Sequence, residues 1–285
     1  AQGYAYEQMA ILFRTNLGIR FVMDALMKGG IPFHMKDAIP NLFAHWISLD
    51  IIAYLRLVSG TGNTRANWLR IMNRPNRYIK REALAPFTSD ISVAQLKAYY
   101  QDKDWMLERL DRLEYDLSIM KRMSPYAAIH YLSNAMKYQD YLKDYAKEHH
   151  INEQELLDVL NAVHESSQSC RTFAEWFAYI DTYTEELQKQ AKSPASKDAN
   201  NESGVCLCTL HCAKGLEYPI VFIPDINEDN IPHARAAVDA DLEEERRLFY
   251  VGITRAKEHL HLYCVGEASG KEKFPSRFLE ELNEM

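Results

Sequence analysis

The chain has 285 residues, nearly half of them apolar, enough for one large domain or two modest ones with a real core. Its formal net charge of −7 argues against bulk attraction to nucleic acid, though a local basic groove on an acidic body remains open. No apolar run reaches the length of a membrane span and the start lacks a secretion signal. The five unevenly placed cysteines fit a reducing cytoplasm better than a disulfide scaffold.

In chain order, "MAILF" (residues 9–13) predicts a short buried strand. "IRFVMDALMKGG" carries apolar residues at helical spacing and stops at Gly29 and Gly30, and "IPFHM" resumes an extended pattern. This strand–helix–strand unit predicts a parallel sheet. "LDIIAYLRLV" predicts a helix ending before Gly60. From about Asn76 to Gln190 glycines are few and helical stretches long. They read as "ISVAQLKAYYQDKDWMLERLDRLEYDLSIMKR", "SPYAAIHYLSNAMKYQDYLKDY", "NEQELLDVLNAV" and "TFAEWFAYIDTYTEELQKQ". The second of these opens with Ser124 as N-cap and Pro125 at the first helical position.

"AKSPASKDANNESG" (residues 191–204) reads as a linker or disordered loop. After it, "VCLCTL", "PIVFI" and "HLHLYCV" predict strands and "DLEEERRLFYVGITRA" a helix. Asp241 and Glu244 have capping-box spacing at its start, and Glu243 can pair with Arg247. The expected organisation is one α/β domain made of both chain ends, residues 1–75 and 205–285. An all-helical domain is inserted at 76–190, followed by the linker at 191–204.

The motifs are mostly negative. A phosphate loop, G-x-x-x-x-G-K-[ST], is absent, and "GEASGKEK" has the wrong spacing with Glu272 in place of the hydroxyl. "IVFIPD" has the look of a strand ending in a magnesium-binding carboxylate, Asp225, but reads better as a buried strand running into a loop. Cys206 and Cys208 share a strand face with Leu210, whereas His211 points the other way, so no metal site is expected. The same discount applies to His259, His261 and Cys264 as strand residues. "RPNRYIKR" clusters Arg74, Arg77, Lys80 and Arg81, either as phosphate-backbone contacts or as a solvated helix start. Arg255, beyond the apolar run "LFYVGI", is either a surface charge or a phosphate grip.

Three segments, "AILFRTN", "TLHCAKGLEYPIVF" and "EEERRLFYVGITRA", resemble motifs IV, V and VI of the UvrD/PcrA/Rep family of superfamily 1 DNA helicases, in that order. The resemblance covers both ends strongly and the middle loosely. It implies a RecA-like parallel-sheet domain, 2A, interrupted by an inserted helical domain, 2B. It also implies a piece of a longer ATP-dependent 3′–5′ helicase. The phosphate loop and the magnesium-binding carboxylates would then belong to an N-terminal domain, 1A. ATP and Mg²⁺ are thus expected in the intact parent and none on this piece alone. The implied partners are single-stranded and junction DNA and the 1A/1B domains, with the chain a monomer and no membrane involved.

Carried over by position, the resemblance makes Arg14 and Arg255 two γ-phosphate fingers and Phe13 an adenine-stacking ring. Glu217 lies near the nucleotide sugar, with Lys214 and Gly215 in the joining loop. Thr209 and His211 contact the DNA strand. Relatives carry a charged "FFERxEIKD"-like segment where this chain has "LFAHWISLD" (Leu42 to Asp50), keeping Phe43 and Asp50. His45 or Trp46 could stack on a base there. A "TRGIG"-like turn is replaced by "NRYIK", so basic side chains rather than close backbone approach would reach DNA. The residues also allow a stand-alone DNA- or protein-binding module without catalysis. A helicase–nuclease fusion finds no support, because no nuclease-like carboxylate cluster follows motif VI.

Overall fold

The computed structural model describes residues 3–37, 39–62, 64–88, 90–192, 203–234, 236, 238–268 and 271–283. The first elements are β1 (Met9–Phe13), α1 (Asn16–Lys28) and β2 (Phe33–Met35). Eight helices follow: α2 (Trp46–Ser59), α3 (Thr64–Ile71), α4 (Val93–Tyr99), α5 (Asp104–Met120), α6 (Pro125–Asn134), α7 (Tyr138–His149), α8 (Glu153–Ser166) and α9 (Phe173–Lys192). The chain then returns to α/β structure with β3 (Val205–Thr209), β4 (Tyr218–Ile223), α10 (Asp239–Ile253) and β5 (Ala256–Leu262). It closes with the short pair β6 (Glu267–Ala268) and β7 (Lys271–Glu272), then α11 (Arg277–Asn283).

Both chain ends build one five-stranded sheet in the order β2-β3-β1-β4-β5, parallel throughout. Val205, Cys206, Leu207 and Cys208 are all buried along β3, the continuous apolar run expected of a parallel strand covered on both faces. Ala10, Leu12, Cys206, Cys208, Val221 and Ile223 form a core with Leu248 and Phe249 of α10 and Phe278 of α11. The α/β, RecA-like parallel-sheet fold expected from the sequence is the observed one.

By contacts the chain divides into a sheet unit, Ala1–Pro40 with Glu186–Met285, and a helical unit, Asn41–Glu185. The sequence reading grouped residues 41–75 with the first strands. By contact, α2 and α3 group instead with the helices after them. The reason is that α2 is apolar nearly all round, burying residues from Ile47 to Val58 on successive faces, and such a helix must be surrounded. Gly60, left-handed at φ 71°, ends it.

Two long helical stretches are each broken in two, at Tyr100–Lys103 and at Lys137, which sits in a left-handed conformation at φ 60°. Ser124 caps α6 and Pro125 opens it, as the sequence indicates. The start of α10 differs from expectation. Val238, not Asp241, is its N-cap, and no side chain caps it. The ion pairs along it are Glu243–Arg246 and Glu244–Arg247 rather than Glu243–Arg247, one turn being shorter than four residues. Of the expected linker, residues 193–202 lie outside the described residues, as does Gly270 of "GEASGKEK". No helix among the described residues is long and apolar enough to cross a membrane.

Candidate functional site

The segment from Thr209 to Glu217 runs from the carboxyl edge of the sheet to its amino edge. At the carboxyl edge, Phe13 of β1 sits opposite Thr209 of β3, and the Leu210 amide donates to the Phe13 carbonyl at 2.8 Å. The Thr209 amide donates to Asp37 Oδ2 at 2.6 Å, and its hydroxyl oxygen accepts from the Cys212 amide at 3.3 Å. Thr209 is thereby fixed in place while His211 stands exposed beside it. Partial burial, then the bond to Asp37, pushes the Cys212 thiol up to about 11.

Arg14 also lies at this edge. Its Nε reaches both carboxylate oxygens of Glu245, at 3.1 and 2.9 Å, and its Nη2 reaches Oε1 at 2.5 Å. Glu245 accepts in addition from the His233 amide at 3.0 Å. Burial opposes ionisation of this carboxyl, but the Arg14 guanidinium and the His233 amide more than offset it, leaving its pKa below the usual range. Phe13 is a buried core residue. A Cβ added at Gly18 would stand 3.1 Å from its ring.

The amino edge begins where β4 and β5 start, with Tyr218 opposite Ala256. Gly215 has φ +85° with open space where a side chain would be, and Lys214 is exposed. Glu217 pairs with Lys257 at 3.2 Å. Arg255 donates from Nε to the Val251 carbonyl at 2.8 Å, from Nη1 to the Leu216 carbonyl at 3.0 Å, and from Nη2 to the Thr254 hydroxyl at 3.0 Å. Its own carbonyl accepts from the Tyr218 amide at 2.9 Å. Glu217 and Arg255 thus lie at one edge, a set suited to phosphate and sugar hydroxyls.

Arg14 follows the end of β1 and Arg255 precedes the start of β5, and each guanidinium is bound to different protein groups.

In the helical unit the predicted DNA contacts divide. Arg74 donates to Asp50 at 2.9 and 3.1 Å and lies over the Trp46 ring, 5.6 Å from its centroid. Arg77 donates to the carbonyls of Ile71 and Pro75 at 3.1 and 3.3 Å. Both are engaged in holding the turn. Lys80 and Arg81 are exposed at its far side. His45 Nδ1 accepts the Ile47 amide at 3.3 Å as the N-cap of α2, so that nitrogen is spent on structure. Trp46 packs on Tyr145, with ring centroids 4.9 Å apart.

Sequence reading missed Glu245 and Asp37, the carboxylates that position Arg14 and Thr209. The only local signal was a carboxylate in a helix next to apolar Leu248 and Phe249, where burial demands a cation. It also missed exposed Tyr78 and Trp105, whose rings lie 5.0 and 5.2 Å from the Arg109 guanidinium. Among the described residues, no group of three or more His, Cys, Asp or Glu side chains is arranged to hold a metal ion.

Residues 1–266 match the family model described as the UvrD-like helicase C-terminal domain. The chain is 30% identical over 292 residues to the putative ATP-dependent DNA helicase YjcD of Bacillus subtilis, covering 98% of this chain and 37% of that protein. It is 29% identical over 307 residues to the ATP-dependent DNA helicase PcrA of Staphylococcus epidermidis, covering 99% of this chain and 40% of that protein. PcrA of Staphylococcus aureus is 28% identical over the same length. The chain spans about two fifths of the length of these curated relatives.

Proposed function

The chain belongs to the family of UvrD-like helicase C-terminal domains, and from that premise we propose that it is the 2A–2B portion of an ATP-dependent 3′–5′ DNA helicase. The observation that carries this reading is the course of one segment. Thr209 and His211 lie at the carboxyl edge of the sheet, and Glu217 lies at the amino edge beside Arg255. On this reading the carboxyl edge meets the DNA strand and the amino edge meets ATP, so a shift at either end is carried to the other through Lys214 and Gly215.

ATP and Mg²⁺ belong to the intact parent, whose 1A domain supplies the phosphate loop. Phosphoryl transfer is catalysed mainly by positioning and charge neutralisation, and this chain's contribution is the fixed guanidinium of Arg255. Its Nη1 rests on a backbone carbonyl, a partner that a phosphate oxygen replaces with a stronger, charge-assisted bond. The isolated chain is expected not to hydrolyse ATP. Its binding to single strands is expected to be weak and strongly salt-dependent, given the net charge of −7.

The test is made in the parent enzyme. Arg255→Ala is expected to keep nucleotide affinity within about tenfold and lose turnover by roughly 10³-fold. Near-normal turnover in Arg255→Ala sinks the assignment.

A further inference from the structure

The helical unit holds a cavity of about 680 Å³, and all of its lining residues belong to that unit. It opens to solvent where α2 ends, where α5 ends and where α9 begins. Its floor is apolar. Val58 is buried, and Phe173 and Phe177 are half-buried, about one turn apart on the same face of α9. The rim is polar, with Arg56, Thr61 and Lys121 exposed. Gly62, at φ +77°, adds no side chain to it. None of these residues is among those assigned to ATP or DNA above.

The charge at the rim is unbalanced. No carboxylate lines the cavity. Among the described residues, the ion pairs within this unit go to Arg70, Arg74, Lys97, Arg112 and Lys143, and neither Arg56 nor Lys121 has one. Glu175, the acidic residue nearest in sequence to both phenylalanines, is spent on the Arg171 amide at 2.8 Å. The Arg56 guanidinium lies 5.8 Å from the centroid of the Phe177 ring, which holds it beside the apolar floor. Lys121 is the C-cap residue of α5. The Ser59 and Thr61 hydroxyls bond each other at 2.8 Å, and Ser59 Oγ donates to the Arg56 carbonyl at 3.2 Å, so these groups serve one another. Two unneutralised cations beside aromatic rings attract an anion that carries an apolar body.

Aromatic rings beside an arginine are the composition of anchor points between proteins. A carboxylate takes the flat guanidinium through two parallel bonds, and an apolar neighbour on the same chain fills the floor. The phosphates of a duplex backbone match the rim but offer nothing apolar to Val58, Phe173 and Phe177. A free small molecule stays half exposed in a cavity this open, whereas a peptide continues across the surface. We propose that the cavity docks a partner protein through an adjacent acidic and apolar pair of side chains. The apolar side chain lies among Val58, Phe173 and Phe177, and the Asp or Glu carboxylate binds Arg56 and Lys121.

The full chain is probed with an array of peptides of about ten residues. Each carries Phe, Leu or Trp beside Asp or Glu at its centre, and a matching set carries Asn or Gln in place of the acid. The acidic set is expected to contain binders, about tenfold or more tighter than their amide matches. The best binder is then labelled and titrated by fluorescence anisotropy. Arg56→Glu and Lys121→Glu should each weaken it roughly tenfold. Ala174→Trp, which fills the cavity from an exposed position, should weaken it by at least as much. The substituted positions are all exposed, and a circular-dichroism melt checks that each variant is folded. An array without binders, equal binding of the amide peptides, or binding that none of the variants alters overturns the proposal. Displacement of the peptide by phenylacetate at comparable concentration assigns the cavity to a small carboxylate and overturns the partner. Loss of duplex DNA binding in Arg56→Glu, with no peptide bound, assigns the cations to nucleic acid and overturns it as well.

Discussion

Each unit of the molecule buries one carboxylate and organises arginines around it, and the two do so for different ends. In the sheet unit, Glu245 gives both oxygens to Arg14 and one of them also to the His233 amide. In the helical unit, Asp50 is fully buried and accepts from Arg70, Arg74 and the Tyr138 hydroxyl, at 2.9 Å in each case. Glu245 joins the end of β1 to α10, two elements far apart in sequence, and so fixes an edge of the sheet. Asp50 holds one end of two guanidiniums whose remainders stay partly exposed. The comparison teaches that a buried carboxylate can consume a cation or display it. The difference lies in how many partners share the carboxylate.

The largest expected effect lies in the helical unit. Asp50→Ala should cost about 3–5 kcal/mol, because two guanidiniums and a hydroxyl lose their buried partner together. All four tryptophans, at 46, 68, 105 and 176, belong to this unit, so urea unfolding followed by tryptophan fluorescence reads it directly. A loss below about 1 kcal/mol would show that Asp50 does not organise these helices.

Gly204→Ala is expected to cost the sheet unit roughly 2–3 kcal/mol. Its Cβ would stand 2.3 Å from the Pro32 carbonyl oxygen, at φ +97°. Faster amide exchange in β2 and β3 is the measurement, and unchanged exchange breaks the argument. Glu245→Gln keeps the shape of the Arg14 contact but removes its charge. It should cost about 1–2 kcal/mol by the same readout.

The smallest effect is a pH order. Burial holds the His45 and His164 imidazoles below their ordinary 6.5. Asp50 opposes this at His45; at His164 the Tyr126 carbonyl opposes it and His130 adds to it. The unfolded chain then binds protons more readily, so helical-unit stability is full above about pH 6.5 and declines below it. Both rings are partly exposed, so the loss is under about 1 kcal/mol each. Glu245 works the other way. Its folded pKa lies below the ordinary 4.5, so its contribution is present above that pH and lost as the pH falls through the folded value. Acid titration should therefore weaken the fluorescence-monitored unit first and the exchange-monitored sheet later. The reverse order would contradict the assignment of these groups.

Much of the fold was legible locally. Met9–Phe13 is the strand that "MAILF" indicates, α1 and α2 end at their glycines, and Ser124-Pro125 opens α6. Breaks inside long helical stretches were not legible. Lys137 turns left-handed within a run whose apolar spacing continues on both sides. At the site, the segment around Thr209 to Glu217 could be read as a unit from its motif. The pairing of Arg14 with Glu245 could not, since a motif records residue types and order and carries no distance.

By itself, then, the sequence determined the parallel α/β sheet from both ends, the helical insertion between them and the family. These follow from periodicity, turn residues and motif order, all carried by neighbours along the chain. Only the tertiary structure decided which cations are free. Arg14 meets Glu245 across 231 residues, and Asp50 meets Tyr138 across 88. A guanidinium's role depends on its partner and its burial, and those are properties of chain segments brought together by packing.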